Sequence, residues 1–148
     1  MDNARAVRRI LHEAGEGALG TLFPDGAPYV SLVTVATSPD GMPTFLLSRL
    51  ALHTRNLHAD PRASLLLRGS DAASPLEGTR VSLPGLIEPV DDPAIRQRFL
   101  ARHPDATLFC DFADFGFYRL VPTSAHIISG FGRIADIEAS AFLGATGG

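Results

Sequence analysis

The chain has 148 residues, 45% of them hydrophobic, which is enough for one domain with a sizeable core. A formal net charge of -3 gives no support to a general nucleic-acid role. No apolar run approaches the ~20 residues of a membrane helix, and the single Cys110 excludes an internal disulfide or a multi-cysteine metal site.

The opening "MDNARAVRRILHEAGEG" lacks the apolar core of a signal peptide, so a cytoplasmic protein is expected. All thirteen basic residues are arginine, which rules out Schiff-base chemistry on a lysine. "DNARAVRRILHEAG" reads as a helix capped by Asp2 or Asn3. Its apolar stripe is Ala6, Val7, Ile10, Leu11 and Ala14, and Gly15 can end it. "GALGTLFPDGAPYVSLVTVATSPDGMPTFLLSRL" reads as three strands with turns at Pro24–Gly26 and Ser38–Gly41. In the middle strand Tyr29, Ser31, Val33 and Val35 share one face, and Val30, Leu32, Thr34 and Ala36 the other. Apolar residues on both faces predict burial on both sides, in a barrel or at a subunit interface.

"ALHTRNLHAD" reads as a short helix with Leu50, Thr54 and Leu57 facing inward, stopped by Pro61. "RASLLLRG" is a strand, and "TRVSLPGLIEPV" a long one, bent or bulged at Pro84-Gly85. "DDPAIRQRFLARHP" is a helix capped by Asp91 or Asp92 with Pro93 in its first turn. "FGFYRLVPTSAHIISGFGRI" supplies one or two final strands. There is no internal repeat and no low-complexity linker. Many antiparallel strands with a few short helices predict a small barrel with helical decoration.

The polar group between two apolar runs, Ser48 to Arg55, stands where a strand ends and a helix begins. A helix start offers free N–H groups and the positive end of the dipole. Ser48, Arg49, His53, Thr54 and Arg55 would add a hydroxyl and cationic donors suited to a phosphate. A solvated helix face is the alternative.

The order of these elements resembles the pyridoxamine 5'-phosphate oxidase-like superfamily, the FMN-binding split barrels, and within it the HugZ-like, haem-utilisation branch. The resemblance is carried by "GTLFPDGAPYVSLVTVAT", "FLLSRLALHTRNLHADPRASLLL", "RVSLPGLIEPVDDPAIRQRFLARHP" and "DFADFGFYRLVPTSAHIISGFGRI". It implies a mainly β fold over residues 1–148, an antiparallel six- to seven-stranded Greek-key barrel with a few helices. It also implies a homodimer with FMN at the interface. By similarity, Ser31, Leu32, Val33 and Thr34 would lie along the flavin ring. Leu47, Ser48, His53, Thr54 and Arg55 would hold the phosphate, with Arg49 as a further basic partner, and Arg80 would reach the flavin.

The chain departs from the oxidases of that superfamily. Ser31 stands where they have arginine, Ala36 where they have lysine, and Leu52-His53 where they have an Arg-Lys pair. Their C-terminal Arg-x-His motif is missing, so pyridoxamine phosphate oxidation is not expected. The C-terminal extension of longer relatives is expected to be absent, because the chain ends at "SAFLGATGG".

His126 reads as a satisfied core or interface histidine, and Phe109, Phe112, Phe115, Phe117 and Tyr118 as core and dimer contact. Asp111 and Asp114 read as capping or turn residues before an acid-base pair. There is no serine elbow and no HExxH. The expected function is that of an FMN-dependent oxidoreductase acting on a small molecule. The alternatives are a haem-binding or haem-degrading protein on the same fold, and a flavin- or phosphate-binding module without turnover.

Overall fold

The computed structural model describes residues 2–74, 76–130 and 132–144. Helix α1 (Asn3–Glu13) is capped by Asp2, whose carboxylate accepts from Arg5 N at 3.2 Å, and it buries Ala6, Val7, Ile10 and Leu11. Its C-cap is Ala14, directly before Gly15, whose carbonyl accepts from Val35 N at 3.0 Å. Strands β1 (Glu16–Leu22) and β2 (Pro28–Thr34) form a hairpin in register from Glu16↔Thr34 to Leu22↔Pro28. Gly26, at φ +88°, makes its turn. Val35 separates β2 from β3 (Ala36–Thr37), which pairs with β4 (Pro43–Ser48). Helix α2 (Leu52–Ala59) leads to β5 (Arg62–Arg68) and β6 (Arg80–Pro89). Helix α3 (Pro93–Arg102), capped by Asp92 with Pro93 in its first turn, is followed by a 3-10 turn (Pro104–Leu108). The chain then forms β7 (Phe115–Pro122), β8 (Ser124–Ser129) and β9 (Arg133–Glu138).

The sheet order is β2-β1-β5-β6-β7-β4-β3, with β8 between β6 and β9. β2 and β3 are two halves of one bent strand, so the sheet curls until its two ends are the same segment. β7 and β8 likewise continue one another along β6, giving a barrel of six strands with β9 as a seventh. β4 and β5 stand on opposite walls, and the connection through α2 crosses from one to the other, which is a Greek-key topology. Odd-numbered residues of β1, β2, β5, β6 and β8 face inward, as do even-numbered residues of β7. Leu19, Leu65, Leu83 and Ile127 are fully or almost fully buried, with Phe45 and Leu120 beside them. Burying each such side chain contributes about 2 kcal/mol. A second cluster of Ala36, Leu46, Phe99, Ala106 and the free Cys110 fixes α3 against β3 and β4.

Two expectations are corrected. The bulge lies not in β6 but opposite it: Pro84 lacks an N–H, and the extra residue Thr123 between β7 and β8 donates N–H to the Pro84 carbonyl at 2.9 Å. Leu50 precedes α2 and is exposed rather than inward, because α2 begins only at Leu52. The inner face of β2 is buried at Val33, while its outer face is uncovered within the protomer, where Val30 is 66% and Leu32 73% exposed. Among the described residues no helix is long and apolar enough to cross a membrane.

Candidate functional site

The run Ser31 to Thr34 alternates, as a strand must. Val33 points into the core, Leu32 and Thr34 point outward, and Ser31 faces α2. There Ser31 Oγ lies 3.1 Å from His53 Nδ1. Burial of the His53 imidazole lowers its pKa below the ordinary histidine value. Thr54, on the next position of α2, is fully buried, and its hydroxyl has no partner among the described residues. Asn56 donates to Thr21 Oγ1 at 3.1 Å, and Leu57 enters the core.

The turn between β4 and α2 is bolted to the segment before β7. The Ser48 hydroxyl donates to the Asp114 carboxylate at 2.8 Å and accepts from Leu50 N at 3.2 Å. Arg49 N donates to the Asp114 carbonyl at 2.6 Å, and the Arg49 guanidinium to the Ala113 carbonyl at 2.7 Å. Leu47 is buried in the core, and Arg55 extends into solvent from α2. Asp111 pairs with Arg96 at 2.9 Å, so the two aspartates serve separate partners and form no acid-base pair. Below this turn Tyr118 OH lies 2.9 Å from His58 Nε2; burial raises the tyrosine pKa, with Arg49 opposing the shift.

A second constellation occupies the outer face. The register across six strands sets Leu32, Ala18, Leu66, Ser82, His126 and Asp136 in one row. Leu32 and Leu66 are exposed, the latter by 47%. His126, 41% exposed in its side chain, holds its Nδ1 2.8 Å from the Asp136 carboxylate. The carboxylate accepts, so Nδ1 carries a hydrogen, and Nε2 is the ring nitrogen left to face a ligand. In the adjacent row Arg68 and Arg80 stand directly opposite one another, and Arg80 faces Ile128. The predicted site residues therefore divide. Ser31, Ser48, Arg49, His53, Thr54 and Arg55 gather around α2, whereas Leu32, Thr34 and Arg80 lie on the outside. Among the described residues no cluster of three or more His, Cys, Asp or Glu side chains is placed to hold a bare metal ion.

Sequence reading left Asp136 unmentioned and gave Asp114 no partner. The first was available in principle. "SAHIISGFGRIADIE" is symmetric about position 131, so a hairpin there pairs 126 with 136. The second depends on a contact 66 residues apart, for which no local signal exists.

A family model described as "CREG, beta-barrel" matches residues 1–144. The chain belongs to the CREG β-barrel family. This family lies within the FMN-binding split-barrel superfamily. One solved structure, 38% identical, superposes with a TM-score of 0.89 over 98% of both chains. The structure of a heme binding protein from Mycobacterium smegmatis is 31% identical, with a TM-score of 0.88 over 94% of this chain and 59% of that one. The non-canonical heme oxygenase HOZ, chloroplastic, of Arabidopsis thaliana is 37% identical over 93% of this chain. This CREG-family chain spans 41% of the length of that relative.

Proposed function

We propose that this CREG-family chain binds haem on the outer face of its barrel, with His126 as the iron ligand, at a surface completed by a second copy. The observation that carries the reading is the His126–Asp136 pair. A carboxylate on Nδ1 fixes the tautomer and the ring orientation and strengthens Nε2 as a donor, the arrangement metal-binding histidines use. Leu32 and Leu66 offer apolar contact to a macrocycle along the same row. Arg68 and Arg80 are cross-strand neighbours on this face, and arginine is the residue type suited to a propionate. Bound haem would supply the redox and oxygen chemistry, and this chain would hold and orient it. Two relatives above 30% identity carry names that refer to haem, which agrees with this reading.

The homodimer is part of the proposal. Val30, Leu32 and Leu66 form an aliphatic cluster on the outer face whose exposure a second copy would remove. The full range 1–148 is proposed to act as one such barrel unit. FMN-dependent oxidoreduction is the second reading, favoured by the superfamily and by Arg55 at the start of α2. Three features oppose it: Ser48 already donates to a carboxylate, burial of His53 disfavours its cationic form, and position 52 is leucine.

The test is a haem titration of the purified protein followed in the Soret region. His126→Ala is expected to weaken haem at least ten-fold and to change the ligand-field bands. Asp136→Asn is expected to keep binding and raise the iron reduction potential, because the imidazole loses anionic character. Unchanged spectra and affinity in His126→Ala would overturn the assignment. So would a yellow protein that releases FMN on denaturation and takes up no haem.

A further inference from the structure

A cleft of about 250 Å³ lies between α1 and the turn that follows β3, on a part of the molecule that contributes no residue to either constellation above. Arg8, His12 and Arg98 line it, and Leu11 and Phe142, both almost fully buried, are its apolar floor. A second depression, between β3 and α3, shares His12, Thr37 and Arg98 with the first and adds Arg102.

The arginines there have two properties in common. Each is fixed by a backbone carbonyl: Arg8 to Ala141 O at 3.1 Å, Arg98 to Thr37 O at 3.0 Å, and Arg102 to Glu13 O at 2.8 Å. Arg98 also donates to Thr37 Oγ1 at 3.3 Å. None of the three has a carboxylate within ion-pair distance among the described residues, in a chain with more acidic than basic residues. Asp40 is the one carboxylate that lines the cleft, and it accepts the Ser38 hydroxyl. A guanidinium carries five N–H donors in a planar fork, and these contacts use one or two of them. The remainder are held in place rather than free to wander, so little side-chain entropy is lost when an oxyanion accepts them.

We infer that this cleft is a binding site for a small phosphate monoester, whose oxyanion would be held by Arg8 and Arg98 and whose organic part would rest on Leu11 and Phe142. Phosphate is favoured over carboxylate because two forks approach from separate elements, and a tetrahedral group presents oxygens to both. Arg102 raises the local positive potential without being required for contact. The site is independent of the haem reading, so each can fail alone.

The experiment is an amide NMR titration of the full chain with phenyl phosphate and with inorganic phosphate, against sodium chloride at matched ionic strength. Saturable shifts are expected at Thr37, Ser38, Gly41 and Arg98 and not around Arg55, with phenyl phosphate binding more tightly. The double variant Arg8→Gln/Arg98→Gln is expected to lose at least ten-fold in affinity. Since Arg98 also steadies Thr37, thermal unfolding provides a second measurement. Phenyl phosphate should raise the midpoint of the wild type and of Arg102→Gln, but not of Arg8→Gln. Shifts no larger than those from chloride, saturation centred on Arg55, equal affinity for the two phosphates, or undiminished binding by the double variant would each overturn the assignment.

Discussion

Ser48 and Asp114, 66 residues apart, are joined by a 2.8 Å hydrogen bond from hydroxyl to carboxylate, and this bond brings an acidic side chain to the turn that leads into α2. It sets a carboxylate against Ser48, one of the residues expected to hold the phosphate in the FMN reading. Replacing Asp114 by asparagine keeps an acceptor for Ser48 and removes the charge. Asp114→Asn is expected to strengthen FMN binding by roughly ten-fold, the equivalent of about 1.4 kcal/mol, as read by quenching of flavin fluorescence. No gain in affinity would show that Asp114 does not govern the site.

His53 gives a pH dependence with a definite sign. Burial lowers its pKa in the folded chain below the ordinary 6.5. The unfolded chain therefore takes up a proton first as pH falls. Stability from this group is complete above the unfolded value and declines as pH drops through it toward the folded pKa. Urea unfolding at about pH 7.5 and about pH 5.5 should show lower stability at the acid end, and His53→Asn should flatten that difference. An unaltered slope in the variant would place the effect elsewhere.

Thr44 is fully buried in β4, and its hydroxyl has no partner among the described residues. Valine has the same shape without the polar atom. Thr44→Val is expected to stabilise the protein by about 1 kcal/mol, since an unsatisfied buried hydroxyl costs ~1–3 kcal/mol. Equilibrium denaturation measures this directly, and a loss of stability would reveal an acceptor, such as water, that the hydroxyl uses.

Gly85 shows the opposite sensitivity. A Cβ there would collide with the Val121 carbonyl oxygen and lie 2.8 Å from Pro122 Cα, both backbone atoms of the neighbouring strand. Gly85→Ala is expected to cost about 3 kcal/mol, at the upper end for overpacking, whereas Gly20→Ala, with Ser64 O at 3.5 Å as its nearest neighbour, should cost little. Comparable urea midpoints for the two variants would contradict the packing described here.

The legibility of this fold follows the range of the interactions. α1 and α3 were readable because their caps lie beside them in sequence, Asp2 to Arg5 and Asp92 to Ala94. The hairpin turn at Gly26 was readable because Asp25 and a glycine at positive φ are local chemistry. The placement of the bulge was not, because the proline that causes it is in β6 and the residue that absorbs it, Thr123, is in the facing connection. The candidate residues were legible as types and not as a group. Alternation along β2 sends Ser31 toward His53 and Leu32 away from it. The contact of Ser48 with Asp114 exists only once β4 lies beside β7. His126 was visible as a residue, while its role depended on the strand opposite.

The bent strand of β2 and β3 has a mechanical consequence. Its corner, Val35, is held by Gly15 O on one side and by His103 Nε2, which donates to the Val35 carbonyl at 2.7 Å, on the other. That short segment joins the two ends of the sheet covalently, so it works as the clasp of a bracelet. Releasing it would let the wall uncurl without breaking any other pair of strands, and the Val35 amide is where hydrogen exchange would first register such an opening.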